Sequence, residues 1–373
     1  MQHRHPINCI IPPHMLSEIA QRGTEAQREK ALKTNTISTQ LRTIRSTKQM
    51  VARVATISVP HKQRNVYDAK QGSGLPGTLV RTEGDPPVND PAVNEAYDGA
   101  GSTYDMFHEV YARNSIDNNG MPIDSTVHYQ KGYDNAFWDG QQMVYGDGDE
   151  DLPPDQRLFN RFTSSLDVIG HELTHGVTQF EANLTYSFQP GAINESMSDV
   201  FGSLVKQRIL GHTASQADWI IGQGLFTSNV NGAGIRSMKA PGTAYDDPVL
   251  GKDPQPGHMN DYVTTIEDNG GVHINSGIPN HAFYIACIEL GGFAWEKAGM
   301  IWYKTLTDKL TQTSKFQDAA NLTHQTAGEL FGVGSLEQNA VKKGWQDVGI
   351  TIGAPTNGGG CLTAVLRLVG LAK

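Results

Sequence analysis

From about Ser164 onward the apolar positions Leu166, Ile169, Leu173, Val177 and Phe180 recur three and four residues apart, the period of a helix with one buried face. A second run, Met197, Val200, Phe201 and Leu204 within "GAINESMSDVFGSLV", predicts another helix whose other side carries Glu195 and Asp199. Upstream the pattern changes. "RNVYDAKQGSGLPGTLVR" alternates between Gly and Pro breaks, and "STVHYQKGYDNAFWDGQQMVYGDGD" sets aromatic and β-branched runs between DG turns, as strands require. Residues Ser17 to about Lys48 are helix-permissive and basic, then "SVPHKQR" breaks the pattern. The end, "GAPTNGGGCLTAVLRLVGLAK", is a glycine-rich linker and a short apolar segment interrupted by Arg367, read as a loosely docked extension. The prediction is an α+β fold: a basic leader over 1–55, a β-rich domain over 56–163, a helical domain over 164–350 and a tail over 351–373.

Composition narrows the class. With 373 residues, 38% of them hydrophobic, the chain can bury two cores of ordinary size, and no apolar run is long enough to span a membrane. Net charge is −9, but nine Lys or Arg against three acidic residues give residues 1–55 a charge of +6, leaving −15 on the remainder. A basic arm for nucleic acid or a leader docked on its own acidic body both produce this asymmetry. The leader lacks the clustered Arg/Lys and interleaved aromatics of a nucleic-acid site, so self-docking is favoured. "MQHRHPINCIIPPHML" breaks its apolar stretch with two prolines, unlike a secretory signal peptide. Synthesis in the cytoplasm is expected, with any secretion by another route. Cys9, Cys287 and Cys361 are odd in number and far apart, which argues against a disulfide framework.

"DVIGHELTHGV" carries the chemistry. His171 and His175, four apart on a helix, present their imidazoles on one face to a single ion, with Glu172 at the edge of that face. Glu195 on the second predicted helix is the expected third ligand. Two imidazoles and one carboxylate leave a zinc ion one open position, as catalytic rather than structural sites do. Asp199, one turn after Glu195, is placed to accept from a ligand imidazole and fix its tautomer, with an ordinary salt bridge as the alternative.

Together "NAFWDG", "GHELTHGV", "GAINESMSD" and "DNGGVHINSGI" resemble the thermolysin family of zinc endopeptidases, over roughly residues 56–350; "CIIPPHMLSEIA" is similar to the short prosegment of its protealysin-like branch. The resemblance implies a two-domain metallopeptidase, β-rich then mainly helical, with one zinc in the cleft between. It implies Glu172 as general base, Tyr186 and His273 as stabilisers of the developing oxyanion, and Asp268 orienting His273. It further gives Asn135 and the Ala136 backbone the substrate main chain, Arg236 a substrate carbonyl, and Val168, Ile221, Leu225 and Ile235 the pocket after the cut bond. A monomeric endopeptidase cutting before bulky hydrophobic residues follows, inhibited by its own prosegment.

The pattern departs at the family's calcium positions. Asp167 and Asp218 match, but Lys206, Ile220, Gln223 and Ala233 replace expected ligands, and an ammonium repels calcium; Lys206 is expected to bridge to Asp167 or Asp218 instead. In the leader, Cys9 raises two readings, a thiolate on the zinc or an incidental thiol in a leader that blocks the cleft. Release is expected near 48–57, where Val51, Val54 and Ile57 each offer an apolar residue after the bond, and Cys287 is expected in the core. Two rivals are a non-catalytic zinc-containing peptide-binding module, opposed by intact Glu172, Tyr186 and His273, and a nucleic-acid binder, whose affinity would fall steeply with salt.

Overall fold

The computed structural model describes residues 8–47 and 61–353, with backbone alone for Asn8 and residues 42–47. The expected cutting stretch at 48–57 with Val51, Val54 and Ile57, the tail from residue 354, and Cys361 within it lie outside the described residues.

The leader forms β1 (Asn8–Cys9), α1 (Pro13–Arg22) and α2 (Glu25–Thr47). Proline opens α1, where a missing N–H costs nothing, and Met15, Leu16 and Ile19 bury one face. There follow β2 (Arg64–Asp68), β3 (Thr78–Thr82), α3 (Pro91–Tyr111), β4 (Ile123–Val127), β5 (Ala136–Trp138) and β6 (Met143–Tyr145). One six-stranded sheet results, in the order β1-β5-β6-β4-β2-β3. Asn8 and Cys9 pair antiparallel with Trp138 and Phe137. The leader therefore covers a strand edge that is otherwise a template for an extended peptide.

Strand-like alternation did not foretell α3, which lies between the two strand-forming stretches. Asp90 caps it, accepting from Ala92 N at 2.9 Å, Pro91 opens it, and Val93, Ala96, Tyr97, Ala100, Tyr104 and Phe107 face the core. Its helical period is carried largely by alanine and tyrosine, a weaker contrast than leucine and valine give.

The second half is helical: α4 (Leu166–Phe180), α5 (Phe188–Leu210), then short strands β7 (Ile220–Ile221) and β8 (Arg236–Ser237), and α6 (Asp268–Asn275), α7 (Gly277–Leu290), α8 (Lys297–Asp308), α9 (Phe316–Phe331) and α10 (Leu336–Asp347). On α4 the apolar face holds at Ile169, Leu173 and Val177 but not at Phe180, which is 40% exposed at the helix end. On α5 Met197, Val200, Phe201 and Leu204 are buried as expected, and so is every other residue from Gly191 to Gln207. This helix is central, so its polar side faces other protein rather than water. Cys287 is fully buried in α7.

Two glycines let α4 and α5 meet closely. A Cβ on Gly202 would lie 2.4 Å from the Asp167 carbonyl oxygen, and one on Gly170 would lie 3.0 Å from the Gly202 Cα. The contact sits beside His171, so the spacing of the helices and of the residues they carry is set together.

Candidate active site

His171 and His175 on α4 point their Nε2 atoms toward each other, 3.0 Å apart. His171 Nδ1 faces Asp199 Oδ1 at 2.8 Å and His175 Nδ1 faces Asn194 Oδ1 at 2.8 Å. Both acceptors are oxygens that cannot donate, so each Nδ1 carries the proton and each Nε2 offers a lone pair. Glu195 of α5 completes the group: Oε1 lies 3.4 Å from His175 Nε2, and Oε2 lies 3.6 Å from His171 Nε2. Among the described residues these three form the cluster able to share a metal, all buried, with ligand atoms within 4.8 Å of one another. Glu195 Oε2 and Glu172 Oε1 are buried without a hydrogen-bond partner. Two facing lone pairs beside two bare carboxylate oxygens leave an uncompensated negative pocket, and a cation with nitrogen and oxygen preferences such as zinc fits it. Burial, then the neighbouring His171, hold His175 well below its usual pKa, which keeps it neutral as a metal ligand must be.

Glu172 is fully buried and accepts from Trp138 N at 3.0 Å. Burial and the Glu195 carboxylate push its pKa well above the carboxylate range, against the Trp138 N–H, Arg236 and the Ile10 N–H. The Tyr186 hydroxyl donates to Glu195 Oε1 and lies 3.2 Å from His273 Nε2. His273 rises from a run of positive φ at Asp268, Asn269, Gly270 and Gly271. That turn lets Asp268 take both the His273 N–H, at 2.8 Å, and its Nδ1, at 2.6 Å. Burial opposes a charge on His273, but Asp268 and Glu195 outweigh it and raise its pKa.

Besides the His171 ring, Asp199 meets a buried cation: it accepts two bonds from Arg236, at 2.8 and 2.7 Å, and one from Asn280 Nδ2 at 2.8 Å. Burial would raise its pKa, but Arg236 and His171 hold it well below the usual carboxylate range.

Sequence profiles of the thermolysin metallopeptidase catalytic domain and of its alpha-helical domain match residues 22–179 and 182–350. The chain belongs to the thermolysin family of metallopeptidases. It is 50% identical to the "Extracellular metalloprotease" of Pectobacterium carotovorum subsp. carotovorum, over 93% of this chain and 97% of that one. It is 48% identical to "Protease PrtS" of Photorhabdus sp. (strain Az29), over 92% of each. The precursor of protealysin, a metalloproteinase from Serratia proteamaculans, superposes with a TM-score of 0.83 at 51% identity, covering 92% of this chain and all of that one.

As a thermolysin-family precursor of the protealysin-like branch, the chain lays its leader through its own site. His273 Nε2 donates to the Cys9 carbonyl at 3.0 Å, and Arg236 donates to the Ile10 carbonyl at 3.3 Å. Ile10 N donates to the Ala136 carbonyl at 3.2 Å, Ile11 N to Asn135 Oδ1 at 2.9 Å, and Asn135 Nδ2 to the Ile11 carbonyl at 3.3 Å. Cys9 approaches with its carbonyl and is not part of the metal cluster. Val168, Ile221, Leu225 and Ile235, each at most 1% exposed, belong to the same apolar cluster as Ile10 and Ile11. Of the groups that sequence reasoning missed, Asn194 and the Trp138 N–H lie in "NES" and "NAFW", whose motifs could have signalled them, whereas Asn280, in "SGIPNHAF", carries no such local signal.

At the departed calcium positions, Lys206 Nζ lies 2.8 Å from Asp167 and 3.0 Å from Asp218, bridging to both, and donates to the Ile220 carbonyl at 2.6 Å. Gln223 offers its carbonyl to Ser165, and Ala233 donates its N–H to Ala244.

Proposed function

We propose that the chain is the precursor of a zinc endopeptidase that cuts on the N-terminal side of bulky apolar residues, with Glu172 as general base and the leader as an inhibitor in its own cleft. The observation that carries this reading is the leader backbone, whose Cys9 and Ile10 carbonyls meet His273 and Arg236 as a substrate's would. His171, His175 and Glu195 would hold the zinc, which would supply Lewis-acid polarisation and a more acidic water. Glu172 takes a proton from the attacking water and passes it to the leaving amine. His273 and Tyr186 donate to the oxygen that gains charge, a contribution on the order of 3 kcal/mol for one such donor. Asp268 keeps the His273 ring turned toward that oxygen. Asn135 and the Ala136 carbonyl grip the main chain and Arg236 holds a carbonyl. The apolar pocket favours Leu, Phe, Ile or Val and separates them weakly, since one methylene is worth about 1–3 kcal/mol.

The enzyme acts as a monomer outside the cell, a reading supported by a relative called extracellular, after the leader is cut near residues 48–57. Calcium is not needed beside the zinc helices, because the Lys206 ammonium already stands between Asp167 and Asp218 and offsets one of their two charges. Lys206→Met leaves the fully buried Asp167 without its cation and costs about 3–5 kcal/mol, read as a lower urea midpoint. Melting of the full wild-type chain stays the same in calcium-free buffer; a calcium-dependent midpoint would overturn this replacement.

The test of the whole reading is intact mass against time for the wild type and Glu172→Ala, with and without a zinc chelator. Only untreated wild type is expected to lose the leader. Equal loss from Glu172→Ala, or loss that ignores the chelator, rules out self-processing by this site.

A further inference from the structure

The aim of His273 is exacting, because a donor that stabilises a developing oxyanion must stand about 2.7–3.1 Å from it. Its ring is turned by Asp268, but both residues ride on one turn. Four successive positive φ values build that turn, at Asp268 (50°), Asn269 (52°), Gly270 (87°) and Gly271 (75°). Two of the four carry a Cβ, for which this conformation is unfavourable and persists only where the surroundings hold it. The Asp268–His273 bonds fix the ring to the turn. They do not fix the turn to the cleft.

Gln255 reaches it from outside. Its Nε2 donates to the His273 carbonyl at 2.7 Å and to Ser276 Oγ at 3.0 Å, and Ser276 Oγ itself donates to the same carbonyl at 2.9 Å. A carbonyl cannot donate, so the amide must face it with its nitrogen. Oε1 is buried without a hydrogen-bond partner, and the side chain, in a residue 5% exposed, is held by the two bonds it donates. Its mount is stiff. Pro254 and Pro256 flank it and restrict the backbone on both sides. Gln255 N donates to Asp253 Oδ1 at 3.1 Å, and Asp253 Oδ2 accepts from the Gly242 and Ala244 N–H groups, each at 3.1 Å. A Cβ on Gly277, where α7 opens, would lie 2.6 Å from the Pro256 carbonyl oxygen and 3.0 Å from Gln255 Cβ. A second tie, between Asn275 and Val263 at 2.9 Å in both directions, joins the turn to residues just before it rather than to a separate mount.

We infer that Gln255 is a positioning residue for His273: its amide anchors the His273 backbone to the loop between β8 and α6 and so aims the imidazole at the oxygen that gains charge. It touches no reacting atom. Acting only through His273, it can contribute no more than that donor does, and removing one such donor costs about 10²–10³-fold in kcat. The inference rests on the oxyanion role given to His273 above.

Gln255→Met keeps the length of the side chain and removes both donated bonds, while Ser276 still satisfies the His273 carbonyl. In the full chain, activated by the same added protease as wild type, kcat for a peptide is expected to fall roughly tenfold with KM within about two-fold, as for an interaction used in the transition state alone. The deciding readout is a double-mutant cycle. In a His273→Ala background, adding Gln255→Met is expected to change kcat by less than about two-fold, because the group it aims is gone. A merely structural role would cost the same factor in both backgrounds. Equal loss in both, a kcat for Gln255→Met within about two-fold of wild type, or a rise in KM alone overturns the inference. If Gln255→Met loses its cooperative melt, Gln255→Glu takes its place, since an ionised carboxylate of the same shape cannot donate either. A His273→Ala variant as fast as wild type would remove His273 from the oxyanion role and this inference with it. A slow His273→Ala beside an unimpaired Gln255→Met leaves that role standing and overturns this inference alone.

Discussion

Glu172→Gln lowers kcat/KM for peptide hydrolysis by roughly 10²–10⁴-fold and leaves zinc content at the wild-type level, after the same added protease has removed the leader from both proteins. The amide keeps the shape of the carboxylate and still accepts from the Trp138 N–H now 3.0 Å from Oε2. What it loses is the capacity to take a proton at the oxygen that has no partner, Oε1. The metal cluster consists of His171, His175 and Glu195, so this substitution separates proton transfer from metal retention. Activity within a few-fold of wild type would remove Glu172 from the general-base role. Parallel loss of zinc and activity would instead make it a ligand.

Asp199→Ala is expected to lower stability and zinc affinity together. The carboxylate is fully buried and accepts from His171, Arg236 and Asn280. Its removal leaves Arg236, 2% exposed, as an uncompensated buried charge, at a cost of about 3–5 kcal/mol. It also frees the His171 ring, and losing such a partner weakens metal binding by about 10–100-fold. Urea unfolding of zinc-loaded protein reads the first effect and competition with a chromogenic chelator the second. Arg236→Ala in the same chain is expected to recover part of the stability but none of the zinc affinity, because the two roles use different partners. A loss below about 1 kcal/mol, typical of an exposed pair, would show that the Arg236 charge is satisfied elsewhere.

Local patterns carried much of this architecture. The period-four histidines and the apolar stripes of α4 and α5 are properties of single helices, so the chain order displays them. Glu195 came from the same logic applied one helix later, whereas Tyr186, Asp268, His273 and Arg236 came through motif resemblance. What stayed hidden is long-range. Asn194 meets His175 across two helices, and Lys30 meets Asp134, Asp149 and Asp151 across the leader boundary; neither contact leaves a periodic trace. Phe180 went astray for the opposite reason: periodicity cannot say where a helix parts from its neighbour. The charge asymmetry between leader and body did point to docking, though not to which carboxylates receive the lysine.

The close contact of Gly170 and Gly202 acts as a gauge block for the metal centre. His171 rides on α4 and Glu195 on α5, and the two helices meet where Gly170 and Gly202 touch. A single methyl group there would meet the opposing backbone at 2.4 or 3.0 Å and pry the helices apart, passing the displacement to ligands whose metal distances tolerate only about 0.2 Å. The precision of the catalytic centre is thus calibrated by two missing carbon atoms that bear no chemistry of their own.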